Sequence, residues 1–251
     1  MYRPRIIPVL LLKNKGLVKT RCFEKPRYVG DPMNAVKIFN DLHVDELIFL
    51  DITATREGRC IAPELIKQIG DEGNMPFAAG GGIRSLHQIE QIIKAGAEKV
   101  VLNTAAFEVK SLISDAVKAF GSSTIVVSMD VKKKFLGSQK VFVKSGTTST
   151  NMAPVEYAKW MEQEGAGELF VTDIQHEGCM QGYNLELIYK ISCAVSIPVV
   201  AHGGAGNDAH LKAAISEGHA SAAAAGSRFV YRGPHNAVLI NYIETADRPR
   251  F

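Results

Sequence analysis

Cysteine is scarce and scattered in this chain. Cys22, Cys60, Cys179 and Cys193 make no CxxC pair and match no zinc-ligand spacing, so the reduced thiols of a cytosolic protein are expected. Long apolar runs are missing too. No stretch of about 18 apolar residues occurs, and Met1 to Pro8 has no signal-peptide core, so the sequence predicts neither secretion nor a membrane span. There is no GxGxxG and no metal-ligand cluster, so no cofactor and no metal are expected. Charge of one sign is lacking as well. The 29 Lys and Arg against 26 Asp and Glu leave a net of +3, and no basic stripe with interleaved aromatics appears, which argues against nucleic acid. The mild positive balance suits a small anionic ligand.

What is present is a full-sized soluble core. The chain has 251 residues, 46% hydrophobic and 22% charged, enough to bury a core without staples. Short apolar runs alternate with helical patterns. The strand candidates are 5–10, 46–50, 76–79, 99–102, 124–129, 168–172, 198–201 and 220–225, apolar along their length as parallel strands covered on both faces should be. Amphipathic helices lie between them, among them 86–95, 154–164 and 208–217, with Leu86, Ile89, Ile92 and Ile93 at helical spacing. Eight βα units in this length predict one closed (β/α)₈ barrel over residues 1–251. Longer inserts follow strand 1 (13–31) and strand 5 (132–150), and the second reads as a hairpin turning at Leu136-Gly137-Ser138.

A shift of 122 residues lays the first half on the second. Glu46 meets Glu168, Asp51-Ile52 meets Asp173-Ile174, Ala79-Gly80-Gly81-Gly82 meets Ala201-His202-Gly203-Gly204, and Asn103-Thr104-Ala105 meets Ala225-Gly226-Ser227. The offset equals four βα units, so half-barrels of roughly 1–122 and 123–251 are expected, related by a half-turn.

Three groups of residues carry candidate chemistry. Glycine turns followed by helix starts let backbone N–H groups approach an anion. They predict one anion site at Gly81, Gly82, Asn103 and Thr104, and a second at Gly203, Gly204, Ala225, Gly226 and Ser227, with Gly178 nearby. Two such sites suit a ligand with an anionic group at each end. The second group is the strand-end acids Asp51, Asp130 and Asp173. Asp130 closes the apolar strand Val126-Val127-Ser128-Met129 and is placed for acid/base work. Asp51 is comparable, whereas Asp173 could be structural, and Glu177 on the loop after strand 6 could touch the ligand. The third group is Arg5, Glu46, Lys99 and Glu168 at the starts of strands 1, 2, 4 and 6, a charge ring at the barrel's bottom. By residue chemistry alone such a ring serves stability.

Taken together these residues resemble the cyclase subunit of imidazole glycerol phosphate synthase, the HisF family. The resemblance runs nearly end to end, through Arg5-Ile6-Ile7-Pro8, Gly30-Asp31-Pro32, the run 45–54, Gly80-Gly81-Gly82-Ile83-Arg84, Asn103-Thr104-Ala105, Phe120-Gly121-Ser122, Gly165-Ala166-Gly167-Glu168 and Gly203-Gly204-Ala205-Gly206. It implies a barrel that closes an imidazole ring on a bis-phosphorylated substrate, with ammonia from a glutaminase docked at the barrel's bottom. It makes the ring Arg5, Glu46, Lys99 and Glu168 a gate to an ammonia channel, and places Glu98 where the family has an aspartate facing the glutaminase. Lys19 in the first insert joins Asp130 and Asp51 as a catalytic candidate.

One departure stands out. The family carries a catalytic aspartate on strand 1, paired across the barrel with the position of Asp130. Here that strand reads Pro8-Val9-Leu10-Leu11-Leu12-Lys13, and Leu11 falls opposite Asp130. The loop from Thr172 to Glu177 departs as well. The variant strand resembles a divergent HisF-like branch associated with amidation of acetamido sugars for surface polysaccharides, in which ammonia passes to a separate ATP-dependent amidotransferase. The sequence therefore predicts an ammonia-channelling barrel of such a system. The histidine-pathway cyclase is the alternative, and a non-catalytic scaffold that activates its glutaminase is a third reading.

Overall fold

A computed structural model describes residues 4–134 and 137–243. Eight parallel strands close on themselves: β1 (Arg5–Lys13), β2 (Leu47–Asp51), β3 (Phe77–Gly80), β4 (Lys99–Leu102), β5 (Ile125–Lys133), β6 (Glu168–Asp173), β7 (Val199–His202) and β8 (Ala222–Ala225). Each pairs with its neighbours, β8 with β1 (Arg5↔Ala222) and β5 with β6 (Thr172↔Asp130). Nine helices occur among the described residues: α1 (Pro32–Asp41), α2 (Pro63–Glu72), α3 (Leu86–Lys94), α4 (Thr104–Glu108), α5 (Leu112–Phe120), α6 (Pro154–Gln163), α7 (Leu185–Ser192), α8 (Asp208–Ser216) and α9 (Ser227–Val230).

The helix starts are written locally. Asp31, Ser85, Asn184 and Asn207 each accept a hydrogen bond from the backbone N–H three residues on, as N-caps do. Pro32, Pro63 and Pro154 open α1, α2 and α6, where a missing N–H costs nothing.

Alternation along each strand divides the core in two. Ile6, Leu10, Phe49, Val127, Met129 and Val171 face outward and pack under the helices. Ile7, Val9, Leu11, Ile48, Ala78, Val101, Val126, Phe170, Val200, Ala222 and Ala224 face inward and fill the barrel. The period of 2 fixes this, so on β1 the inward row runs Arg5, Ile7, Val9, Leu11 from bottom to mouth, and on β5 it runs Val126, Ser128, Asp130.

The structure adds detail at three places. The insert after β1 is a hairpin as well: Gly16–Arg21 pairs antiparallel with both β1 and Glu24–Gly30. Strands β1 and β5 run on to Lys13 and Lys133 because they continue into these hairpins, with Leu11↔Val18 and Asp130↔Phe142 in register. The hairpin after β5 is present, closed by Gly137 N–H to the Lys134 carbonyl at 2.9 Å; Leu136 of its expected turn lies outside the described residues, as do Met1 to Arg3. Third, the eighth unit carries only the short α9 among the described residues, followed by the pair Tyr231–Arg232 and Ala237–Val238. No helix of the described residues is long and apolar enough to cross a membrane.

Candidate functional site

The mouth of the barrel holds a cavity of about 310 Å³, the size of a small-molecule site. Its wall includes Asp51, Gly81, Gly82, Asn103, Thr104 and Asp130 from the first anion group and the acids. The first cradle is built where β3 and β4 end. Gly82 sits at φ +65°, and a Cβ there would collide with the Arg59 carbonyl, so only glycine lets the chain pass. Thr104 opens α4, where the Ala106 N–H is taken by the Asn103 carbonyl at 3.1 Å and the first N–H groups of a helix have no partner four residues back. The Thr104 hydroxyl accepts from the Lys144 backbone at 3.0 Å, which ties the hairpin after β5 to this cradle.

A half-turn away lies the second cradle, where Lys19, Gly178, Gly203, Gly204, Ala225, Gly226 and Ser227 enclose about 10 Å³, room for about one water. Gly204, at φ +121°, abuts the Gly182 carbonyl as Gly82 abuts that of Arg59. The space is small because of Lys19. This side chain comes from the hairpin after β1, is 4% exposed, and lies against Gly226. Its Nζ pairs with Glu177 at 3.2 Å, and Glu177 also accepts from Thr20 Oγ1 at 3.0 Å and Phe23 N at 3.2 Å. Charge burial of this depth demands such pairing.

Asp130 is the inward acid of β5. Burial pushes its carboxyl up to about 7, against the pull of hydrogen bonds from Ser128 and Asn103. Asn103 Nδ2 donates to Asp130 Oδ2 at 3.3 Å. A carboxyl poised there can both give and take a proton near neutral pH. The inward residue across the barrel, four strands away in either direction, is Leu11, which lines the same cavity. The position facing Asp130 across the mouth is therefore apolar.

Asp51 and Asp173 are twins of a different kind. Asp51 Oδ1 accepts from Thr53 N, Thr53 Oγ1 and Ala54 N, and Oδ2 takes Arg59 Nη1 at 2.6 Å. Asp173 Oδ1 accepts from Gln175 N and His176 N, and Oδ2 takes Asn184 Nδ2 at 2.7 Å. Both carboxylates organise the loop that follows. Asp51 thus lines the mouth cavity with its oxygens held by the loop and by Arg59.

Sequence reasoning passed over His202. It lines both cavities, stacks on Phe170 at 4.8 Å and shares a 3.0 Å hydrogen bond with Thr172 through Nδ1. Burial, with Lys19 adding, lowers its pKa to about 3, so it is a neutral imidazole. The signal was visible, since His202 breaks the repeat opposite Gly80. The cations around the mouth were also visible. Eleven Lys and Arg fall in 13–31 and 132–150 against two acids, which gives the two inserts an excess of positive charge.

At the opposite end Arg5, Glu46, Lys99 and Glu168 do form a closed ring. Arg5 bonds both carboxylates, and Lys99 Nζ lies 3.0 Å from Glu46 and 3.1 Å from Glu168. The carboxylates are buried and the two cations cover them from below. The Arg5 pKa is raised: its burial opposes the charge, but Glu168 and Glu46 outweigh it.

Residues 5–235 match the family described as histidine biosynthesis protein. A Pseudomonas aeruginosa protein provisionally named imidazole glycerol phosphate synthase subunit hisF2 is 46% identical over 242 residues, 96% of each chain. A Leptospira borgpetersenii protein with the same provisional name, subunit HisF, is 43% identical over 249 residues, 99% of this chain and 98% of its own. The imidazole glycerol phosphate synthase subunit HisF of Alkaliphilus metalliredigens is 41% identical over 231 residues, 92% of each.

Proposed function

Given that the chain belongs to the histidine biosynthesis protein family and is a HisF-like barrel, we propose that it receives ammonia from a glutaminase docked on its bottom face and passes it through the barrel to an acceptor that is not the imidazole-forming substrate. The observation that carries this reading is Leu11 facing Asp130 across the mouth. Ring closure needs proton transfer at more than one position, and leucine transfers none. Loss of one positioned acid/base group lowers a rate by about 10²–10⁴-fold.

The rest of the barrel suits transport. Above the charge ring the interior is lined by Ile7, Val9, Ile48, Ala78, Val101, Val126, Val200, Ala222 and Ala224, a surface that accommodates neutral ammonia and rejects ammonium. The ring Arg5, Glu46, Lys99 and Glu168 is then the gate, and Glu98 lies beside the docking face. The acceptor chemistry we infer is amidation of an acetamido sugar to an acetamidino sugar for surface polysaccharide, carried out by a separate ATP-dependent amidotransferase, in the cytoplasm. The two anion cradles, with Gly81, Gly82, Asn103 and Thr104 on one side and Gly178, Gly203, Gly204, Ala225, Gly226 and Ser227 on the other, would hold an anionic ligand at the mouth.

The alternative is the cyclase subunit of imidazole glycerol phosphate synthase in histidine biosynthesis. What favours it is the presence of Asp130 and both cradles. Ring closure by the purified protein with excess ammonium separates the two. A rate at least 100-fold below that of a family cyclase supports the delivery reading, and a comparable rate overturns it. In the complete complex, Lys99→Ala should leave glutamine hydrolysis running while less of the ammonia reaches the acceptor; unchanged coupling would show that the ring serves stability alone.

A further inference from the structure

Two thiols meet where the hairpin after β1 touches the loop after β6. Cys22 follows the strand Gly16–Arg21 at the hairpin's turn, and Cys179 lies between β6 and α7. They are 157 residues apart in the chain, yet their Sγ atoms are 3.8 Å apart, and each also lies 3.5 Å from the Gln175 carbonyl. The backbones are already joined, since Cys22 N–H donates to the Glu177 carbonyl at 2.8 Å. A disulfide needs sulfurs about 2.05 Å apart, so a small movement of two side chains on surface turns is enough. Both residues are partly exposed, within reach of a soluble oxidant. The exposed Arg21 lies beside the two sulfurs, and burial pushes the Cys22 thiol up, which leaves Cys179 as the thiol to meet the oxidant first.

We propose that Cys22 and Cys179 form a reversible modification site, a disulfide that fastens the first hairpin over the second anion cradle when the protein meets a peroxide. The Cys179 thiolate attacks one oxygen of hydrogen peroxide; the O–O bond breaks, hydroxide leaves, and a sulfenic acid forms. The Cys22 thiolate then attacks that sulfur, the S–O bond breaks and the oxygen leaves as water. Two thiols lose two electrons and two protons, and one peroxide becomes two waters. A dithiol reductant reverses the step. Lys19 and Thr20 lie just before Cys22, and Glu177, which binds both, lies two residues before Cys179. The cross-link therefore fixes the pair that fills the cradle. Cytosolic disulfides of mesophiles are usually of this transient, sensing kind.

The test is a thiol count by alkylation and mass spectrometry on the intact protein before and after hydrogen peroxide, with peptide mapping. We expect two of the four thiols to be lost, a Cys22–Cys179 linked peptide, and full recovery with dithiothreitol. The oxidised protein should melt higher than the reduced one, a shift that Cys22→Ser and Cys179→Ser each abolish. Four alkylatable thiols after treatment, oxidation to sulfinic acid without a linked peptide, or loss spread evenly over Cys60 and Cys193 would each overturn the proposal; these readings are made on the wild-type chain and do not depend on the variants folding.

Discussion

The two half-barrels use one backbone to make two different sites. Both place an aspartate at the end of a strand, where it accepts from the N–H groups two and three residues on. Both follow with a pair of glycines pressed against a neighbouring carbonyl and then a short helix start. The first cradle opens into a cavity of about 310 Å³, whereas the second retains about 10 Å³. The difference comes from side chains that the repeat does not contain. Lys19, carried in from the first hairpin, and His202, standing where the first half has Gly80, occupy the second site. Strand-end geometry makes a cradle twice; what each cradle accepts is set by what leans into it.

The largest expected effect concerns the inward pair that breaks the symmetry, Leu11 and Asp130. The Asp130 carboxyl titrates near 7 when folded and near 3.8 when free. Between those values the folded state binds the extra proton, so its contribution to stability is greatest below about pH 4, declines as pH rises toward 7, and stays low above it. Asp130→Asn does not ionise. At pH 8 it should therefore be more stable than the parent by on the order of 2–4 kcal/mol, with the gap closing by pH 4. Urea midpoints at several pH values measure this, and a gap independent of pH would show that burial of this carboxyl carries no such cost.

Next come the paired glycines. Gly82→Ala and Gly204→Ala each add a Cβ where the backbone has positive φ and a carbonyl stands in the way. Each should destabilise by on the order of 1–3 kcal/mol, and by similar amounts if the two cradles are mechanically equivalent. A large loss at one position and none at the other, by the same urea measurement, would mean that only one cradle is rigid.

The smallest expected effect separates the cradles by ligand. Lys19→Met removes the cation from the second cradle and leaves the first untouched. Inorganic phosphate, followed by ³¹P NMR titration, should lose about tenfold in affinity at one site only, equivalent to about 1.4 kcal/mol. Equal weakening of two sites would mean that Lys19 acts through the entrance field rather than by contact. Weakening at neither would mean that its pairing with Glu177 is structural.

Much of this was legible in the chain. Apolar runs spaced by amphipathic helices specified the barrel, because parallel strands are covered on both faces, and the 122-residue offset exposed the half-barrels. Periodicity put Arg5 and Leu11 on one inward row of β1 once its start was known. The strand ends were less legible. β1 and β5 reach Lys13 and Lys133 because antiparallel partners from the hairpins extend them, and pairing of that kind is a property of two segments, not one. Asp51 is legible as a strand-end acid from its type and place, but that Arg59 and the loop amides hold its oxygens shows only in three dimensions.

The sequence by itself determined the fold, the repeated glycine turns, the missing strand-1 acid and the four members of the charge ring, since each depends on residue type and local period. The tertiary structure alone decided that Lys19 from the first half fills the second half's cradle, that Glu177 neutralises it, and that Cys22 lies 3.8 Å from Cys179. Those contacts join segments more than 150 residues apart. Closure of the barrel brings them together, and no local preference of either segment encodes the distance between them.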